Sequence, residues 1–388
     1  MMRHSLALAI LFVAVLLFRP ALAQQAPAKL FETKAQQVLL IEASTGTVLL
    51  AKGEDKPLPP ASLAKLMTLD VVFDAIRRRE IGLETVYKVS EHAWRTGGAP
   101  SRTATMFAAL NSQIRVDDLL KGVAVQMAND ACLILAEGMS GSEAAFAQRM
   151  NERAKALGLT ASSFANPTGL PDPGNRTNLR DMVTLAQHLH QTYPEFYGLF
   201  TQPEFEWNKI LQRNRNPLLG RSAGVDGLAS GFAEESGYAL VASAERDGRR
   251  LFLAISGLAS DKERTEEAVR LFDWAFGAFE MRHLFKPGEV IGAASVYGGD
   301  AGDVGLVADG PVDVFVATDD PERLQAKIVY RWPLRAPIAA GAEVGVLKVS
   351  SGERLLREVK LRSAAAVGEG TLSQKAGDAL FELLFFWL

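Results

Sequence analysis

Cysteine is almost absent. The chain has 388 residues and one cysteine, Cys132. No intrachain disulfide can form. Cys132 sits in the apolar stretch Ala131-Cys132-Leu133-Ile134-Leu135, where a buried thiol is expected rather than a nucleophile. Charge of one sign is also lacking. The formal net charge is -3 and no long run of like charge occurs, so there is no basic footprint for nucleic acid. Metal-ligand spacing is missing too. His188 and His190 lie two apart, on different faces of a helix, and no H-E-x-x-H pattern occurs. His92, beside Trp94, reads as structural. No metal and no cofactor is expected. The nucleophile elbow G-x-S-x-G is absent as well, since Gly138-Met139-Ser140-Gly141 does not fit it. There is no internal repeat.

What is present is a globular composition, 48% apolar and 22% charged, in a chain long enough for two domains. It can bury a core without disulfide staples. The first residues read as an export signal. Met1-Met2-Arg3-His4 is a positive start, Ser5 to Phe18 is uncharged and mostly apolar, and Ala21-Leu22-Ala23 fits the small-x-small cleavage rule. Cleavage is expected after Ala23. The apolar run is short for a membrane span, and an uncleaved anchor is the other reading.

Apolar, β-branched runs at 37–43 and 47–51 around Ser44-Thr45-Gly46 predict a hairpin, and 238–244 with 251–256 a second strand pair. Between them the spacing is helical over 63–76, 116–139, 143–157 and 181–191. Strands from both ends enclosing a helical middle predict an α/β domain over 28–284. From Lys286-Pro287-Gly288 onward, alternating apolar and polar residues predict a small all-β domain over 287–364, with strands at 312–317, 324–332, 343–349 and 357–361. Residues 372–388 place Leu372, Ala376, Ala379, Leu383 and Trp387 at helical spacing. That predicts an amphipathic helix in contact with a membrane surface, against the alternative of a helix packed on its own protein.

Pro60-Ala61-Ser62-Leu63-Ala64-Lys65 ends a loop and opens a helix. Residues three apart share a helix face, so Ser62 and Lys65 fall within hydrogen-bond reach. A serine needs a base to become a nucleophile. A lysine serves as that base when burial or a nearby cation destabilises its ammonium. On its own, S-x-x-K equally describes a capping serine and a solvated lysine.

The wider pattern decides between these. The chain resembles the low-molecular-weight penicillin-binding proteins, the serine D-Ala-D-Ala carboxypeptidases. The matching segments run in order through most of the chain. They are 60–68 around the serine, Trp94 to Gly98, Met106-Phe107, Asn129-Asp130-Ala131, Phe164 to Pro171, Arg215 to Leu219 and Gly224 to Leu228. Ala326 to Tyr330 in the β-rich domain and the amphipathic tail follow. The resemblance implies a penicillin-binding/serine β-lactamase-like domain, a sheet flanked by helices. It implies that Ser62 attacks the carbonyl of a terminal D-Ala-D-Ala stem peptide with Lys65 as base and Asn129 beside them. D-Ala then leaves and water cleaves the acyl-enzyme. Peptidoglycan stem peptides are the implied substrates and β-lactams the implied covalent ligands of the same serine. The oxyanion hole would be the backbone N–H groups of Ser62 and Phe232. The implied place is the periplasm, peripheral on the outer face of the inner membrane.

Two departures stand out. The family's Ser-x-Asn reads Met127-Ala128-Asn129, and a thioether cannot donate a proton. Its Lys-Thr-Gly reads Ala229-Ser230-Gly231, followed by Phe232-Ala233. Ser230, Gly231 and Phe232 are left to bind substrate, with Ser230 offering a hydrogen bond to a carboxylate. Loss of a neighbouring cation is expected to let Lys65 hold its proton more firmly. Arg221 lies near in sequence as a candidate replacement. No E-x-x-L-N water-activating motif of the class A β-lactamases occurs, so fast penicillin hydrolysis is not expected. Two functions follow: a weakened carboxypeptidase, or a non-catalytic paralogue that binds peptidoglycan or penicillin.

Overall fold

The computed structural model describes residues 31–318 and 324–385, the last five for their backbone alone. The expected signal segment over 1–23, and the aromatic end of the tail, lie outside the described residues.

The first domain is built on a five-stranded antiparallel sheet. Its strands are β1 (Gln37–Glu42), β2 (Val48–Lys52), β3 (Val225–Ala233), β4 (Gly237–Arg246) and β5 (Arg249–Leu258), in the spatial order β2-β1-β5-β4-β3. Strand side chains alternate between faces, and both faces are covered. Leu39 and Ile41 of β1, Val241 of β4 and Phe252 of β5 join one apolar cluster. Val38, Leu40, Leu240, Leu253 and Ile255 join another on the opposite face. The first cluster carries the helices α1 (Lys65–Arg77), α2 (Val116–Gln126), α3 (Asn129–Ser140), α4 (Glu143–Ala156) and α5 (Leu179–Thr192). The second is closed by α6 (Asp261–Gly277), through Ala268, Leu271, Phe272 and Ala275. The layers are therefore helix, sheet, helices. β3 is the sheet edge, and it faces the turn that carries Ser62.

Two expectations change. The helix read over 116–139 is two helices, because Met127 takes a left-handed φ of 57° and breaks it. The helix read from Leu63 starts with a 3-10 turn, Ala61–Ala64, before α1 begins at Lys65. Strand β3 was not read from the sequence. Its Gly227, Ser230 and Gly231 are poor strand formers.

After α6 comes the all-β part. Its strands are β6 (Phe279–Phe285), β7 (Gly292–Tyr297), β8 (Asp303–Ala308), β9 (Val312–Ala317), β10 (Leu324–Tyr330), β11 (Leu334–Arg335), β12 (Glu343–Ser351) and β13 (Arg354–Ser363). β6 pairs with β9, and the others form a sheet in the order β10-β12-β13-β8-β7-β11. They enclose their own core of Val296, Leu306, Leu347, Val349, Leu356 and Leu361. The two parts touch where Phe315 N–H donates to Thr47 Oγ1 (3.2 Å) and Arg354 to the Leu49 carbonyl (3.3 Å). A last helix, α7 (Leu372–Phe385), follows.

Candidate active site

Ser62 and Lys65 are joined directly. In a 3-10 turn the side chains at i and i+3 eclipse, and Lys65 Nζ lies 3.0 Å from Ser62 Oγ. Ala61, just before the serine, holds a φ of 47°. That conformation is uncommon without glycine and costs on the order of 1 kcal/mol, the kind of strain that gathers at functional sites.

Lys65 is 1% exposed. Burial lowers its ammonium to about 8, a thiolate at Cys132 would oppose this, and the Arg215 guanidinium adds to it. Burial also pushes the Cys132 thiol up to about 12, so beside Lys65 it is a neutral group. The lysine of the family's third motif is absent at Ala229, and the charge on Lys65 is disfavoured without it. Burial alone disfavours the charge, and Arg215 rather than Arg221 supplies a nearby cation. Arg215 is anchored at the end of α2, where its N–H donates to the Val125 carbonyl (2.9 Å) and its Nε to Gln126 Oε1 (3.3 Å).

The loop 166–170 orients the lysine. Its Nζ donates to the Thr168 carbonyl at 2.6 Å. Asn166 Oδ1 fixes that loop by accepting from the Thr168 hydroxyl (2.9 Å) and the Gly169 N–H (2.8 Å). The Thr68 hydroxyl, one turn along α1, donates to the Pro167 carbonyl (2.7 Å). Gly169 has a φ of 74°, and a Cβ there would fall 1.7 Å from the Ala61 carbonyl oxygen. Only glycine allows that approach. The sequence displays Asn166 to Pro171 as a match to relatives, but not that a main-chain carbonyl in it grips the lysine.

Asn129 opens α3, 4% exposed, and its side-chain nitrogen donates to Thr103 Oγ1 (2.9 Å). Its amide makes no hydrogen bond to Ser62 or Lys65, and its Oδ1 has no partner among the described residues. Asp130 next to it ties down the 105–108 segment. It accepts from Thr105 Oγ1 (2.6 Å), Met106 N–H (2.9 Å) and Ala108 N–H (3.0 Å). Met127 and Ala229, the two departures, are 6% and 1% exposed and belong to the same apolar cluster.

β3 closes the other side. A Cβ on Gly231 would lie 3.2 Å from the Ser62 nitrogen, so strand and turn meet at main-chain distance. Ser230 Oγ donates to the Arg215 carbonyl (3.5 Å). Phe232 is 53% exposed, its ring 4.6 Å from that of Tyr238. The structure thus brings Ser62, Lys65 and Gly231 together, with Ser230 beside the Arg215 main chain. His188 is elsewhere, its Nε2 3.0 Å from Arg153, whose guanidinium pairs with the buried Asp70 (2.6 Å). Among the described residues no cluster of metal-ligating side chains occurs.

Known proteins share this arrangement. A family described as D-alanyl-D-alanine carboxypeptidase matches residues 21–259, and one described as penicillin-binding protein 5, C-terminal domain, matches 279–369. The chain is 35% identical to the D-alanyl-D-alanine carboxypeptidase DacC of Escherichia coli, over 91% of this chain and 89% of that one. Penicillin-binding protein 5 from Haemophilus influenzae superposes with a TM-score of 0.73 at 32% identity, over 87% of this chain and 98% of that one. Penicillin-binding protein D2 from Listeria monocytogenes, solved in its ampicillin-bound form, superposes with a TM-score of 0.56 at 27% identity, over 63% and 98%.

Proposed function

The chain belongs to the D-alanyl-D-alanine carboxypeptidase family, and from that premise we propose that it removes the terminal D-Ala of peptidoglycan stem peptides through an acyl-enzyme on Ser62. The observation that carries this is the buried Lys65, 3.0 Å from the serine oxygen and lowered to about 8. Neutral Lys65 takes the Ser62 proton as Oγ bonds to the scissile carbonyl carbon. The oxyanion is held by the N–H groups of Ser62 and Phe232. As the peptide bond breaks, the leaving nitrogen takes a proton from the Lys65 ammonium, since Met127 cannot donate one. Water then cleaves the ester. Ser230 would receive the substrate carboxylate, as the family resemblance implies, and Arg215 would add a positive charge near Lys65. β-Lactams would acylate Ser62 by the same attack.

The apolar pair Met127 and Ala229 favours a second reading, a paralogue that binds the cell wall without cleaving it. D-Ala release separates the two. Wild-type protein is expected to release D-Ala from a D-Ala-D-Ala peptide, and Ser62→Ala to abolish it. No release by wild type would sink the carboxypeptidase reading.

The division into 28–284, 287–364 and 372–388 goes with this proposal, as does an exported protein resting on the membrane surface. No described helix is long and apolar enough to cross a membrane. In α7, Asp378 accepts from the Gly298 N–H (2.8 Å), which turns that side of the helix to the β domain. Leu372 and Leu380 remain 87% and 58% exposed.

A further inference from the structure

Strand β3 brings Gly231 to the Ser62 turn, yet little in its own length fixes where it stops. It is the edge of its sheet, paired only with β4, and its glycines weaken it as a strand. A slip of one residue would turn every side chain to the opposite face. It would also carry Ser230 or Phe232 to the place of Gly231, where a Cβ would lie 3.2 Å from the Ser62 nitrogen and 3.3 Å from the Ala61 Cβ. The register therefore needs a pin.

One is built at the start of the strand. Val225 pairs with Ala244 and Gly227 with Ser243, so Asp226 is an extra residue against a single step of β4. This is a β-bulge, which bends a strand and re-aims a side chain. The re-aimed carboxylate is held on both oxygens. Asp226 Oδ1 accepts from Ser243 Oγ, and Asp226 Oδ2 lies 2.7 Å from Arg250 Nη1 on β5. Arg250 Nη1 also donates to Ser243 Oγ (2.8 Å), and its Nη2 to Glu245 Oε2 (2.6 Å). The Tyr197 hydroxyl lies 2.8 Å from Ser243 Oγ. The Ser243 hydroxyl is thereby saturated: it gives its one proton to Asp226, and its two lone pairs accept from Arg250 and Tyr197. Ser243 and Tyr197 are both buried. Gly227, the next residue, passes close to the tyrosine, where a Cβ would lie 3.1 Å from its hydroxyl oxygen. Such a network has one position along β4, and moving Asp226 by one residue would break all of it. Asp226 itself makes no hydrogen bond to Ser62 or Lys65 among the described residues. It precedes Phe232 by about 20 Å of extended strand.

We propose that Asp226 is a positioning residue for the acylation step. With Ser243, Tyr197 and Arg250 it pins the register of β3 and so holds the Phe232 N–H where the oxyanion forms. This rests on the proposed acyl-enzyme on Ser62.

The test compares full-length mature protein with Asp226→Asn, with Arg250→Gln and with the two combined. Asp226→Asn keeps the shape and the bond from Ser243, and loses the charge that holds Arg250. Two things are read: the rate and saturating stoichiometry of the benzylpenicillin adduct by mass spectrometry, and amide hydrogen exchange strand by strand. Both single variants are expected to acylate about tenfold to a hundredfold more slowly, yet to reach the same stoichiometry as wild type. The double variant should be no slower than the slower single one, because the two ends of one clamp are not independent. Protection should fall in β3 and persist in β4 and β5. Wild-type rates in the variants overturn the inference. So does a lower stoichiometry, an unfolded variant or protection lost across the whole sheet, since Asp226 would then hold up the domain and not the strand. If wild type itself forms no adduct, exchange decides alone. Protection lost only in β3 then leaves the clamp standing and defeats the acyl-enzyme reading, while unchanged protection defeats both.

Discussion

Lys65 concentrates the chemistry of the site in one side chain. A lysine on the surface is charged at neutral pH and useless as a base. Here burial does most of the work of lowering it, and the Arg215 charge adds to that. The direction of the pH dependence follows. The neutral amine is the active form, so activity is low below pH 8 and rises as pH passes through about 8. Arg215→Gln removes a positive charge, lets the ammonium persist to higher pH and moves the rise upward. D-Ala release at pH 8 is expected to fall about threefold to tenfold, since one pKa unit is a factor of ten. Arg215→Lys should restore most of it. A purely structural role for Arg215 would lower the rate equally at every pH. The sequence could not name this residue. Arg215 and Lys65 are far apart along the chain, and closeness in sequence to the altered motif pointed instead to Arg221.

At the scale of elements, the site depends on where regular structure is interrupted. The 3-10 turn at Ala61–Ala64, the left-handed Met127 and the tight loop at Gly169 each place a functional group at an element's end. Helical periodicity alone runs straight through Met127, because its apolar side chain fits the pattern on both sides. That is why one helix was read where there are two. Gly169 makes the sharpest prediction. Gly169→Ala would force a Cβ against the Ala61 carbonyl in a conformation that favours glycine. The 166–170 loop must shift, and the Thr168 carbonyl would leave Lys65. D-Ala release is expected to drop about a hundredfold or more, while circular dichroism still reports the folded sheet and helices. Near-normal activity in this variant would show that the loop does not hold the lysine.

At the scale of the molecule, most of the architecture was legible. The α/β part followed by an all-β part came from the change in period and composition near residue 286. Both the hairpin at 37–51 and the pair β4–β5 carry plain strand patterns. Less legible was the edge strand β3. Gly231 lets it approach the Ser62 turn, and with Gly227 it also hides the strand from a pattern reading. The clamp at its start joins Tyr197, Asp226, Ser243 and Arg250, which no spacing rule connects. The exposed leucines of α7 belong to this scale as well. Full-length mature protein is expected to sediment with phospholipid vesicles, and protein ending at residue 371 to stay in the supernatant. Equal partition of the two would show that the tail is packing material and not a membrane contact.

The account rests on Ser62 being a working nucleophile despite Met127 and Ala229. The most direct measurement is mass spectrometry of the purified mature protein after exposure to benzylpenicillin, with Ser62→Ala alongside. A covalent penicilloyl adduct on the peptide containing Ser62, formed faster at pH 8.5 than at pH 7 and absent from the variant, is the predicted result. An unmodified Ser62 at every pH, in protein that is folded, would contradict it.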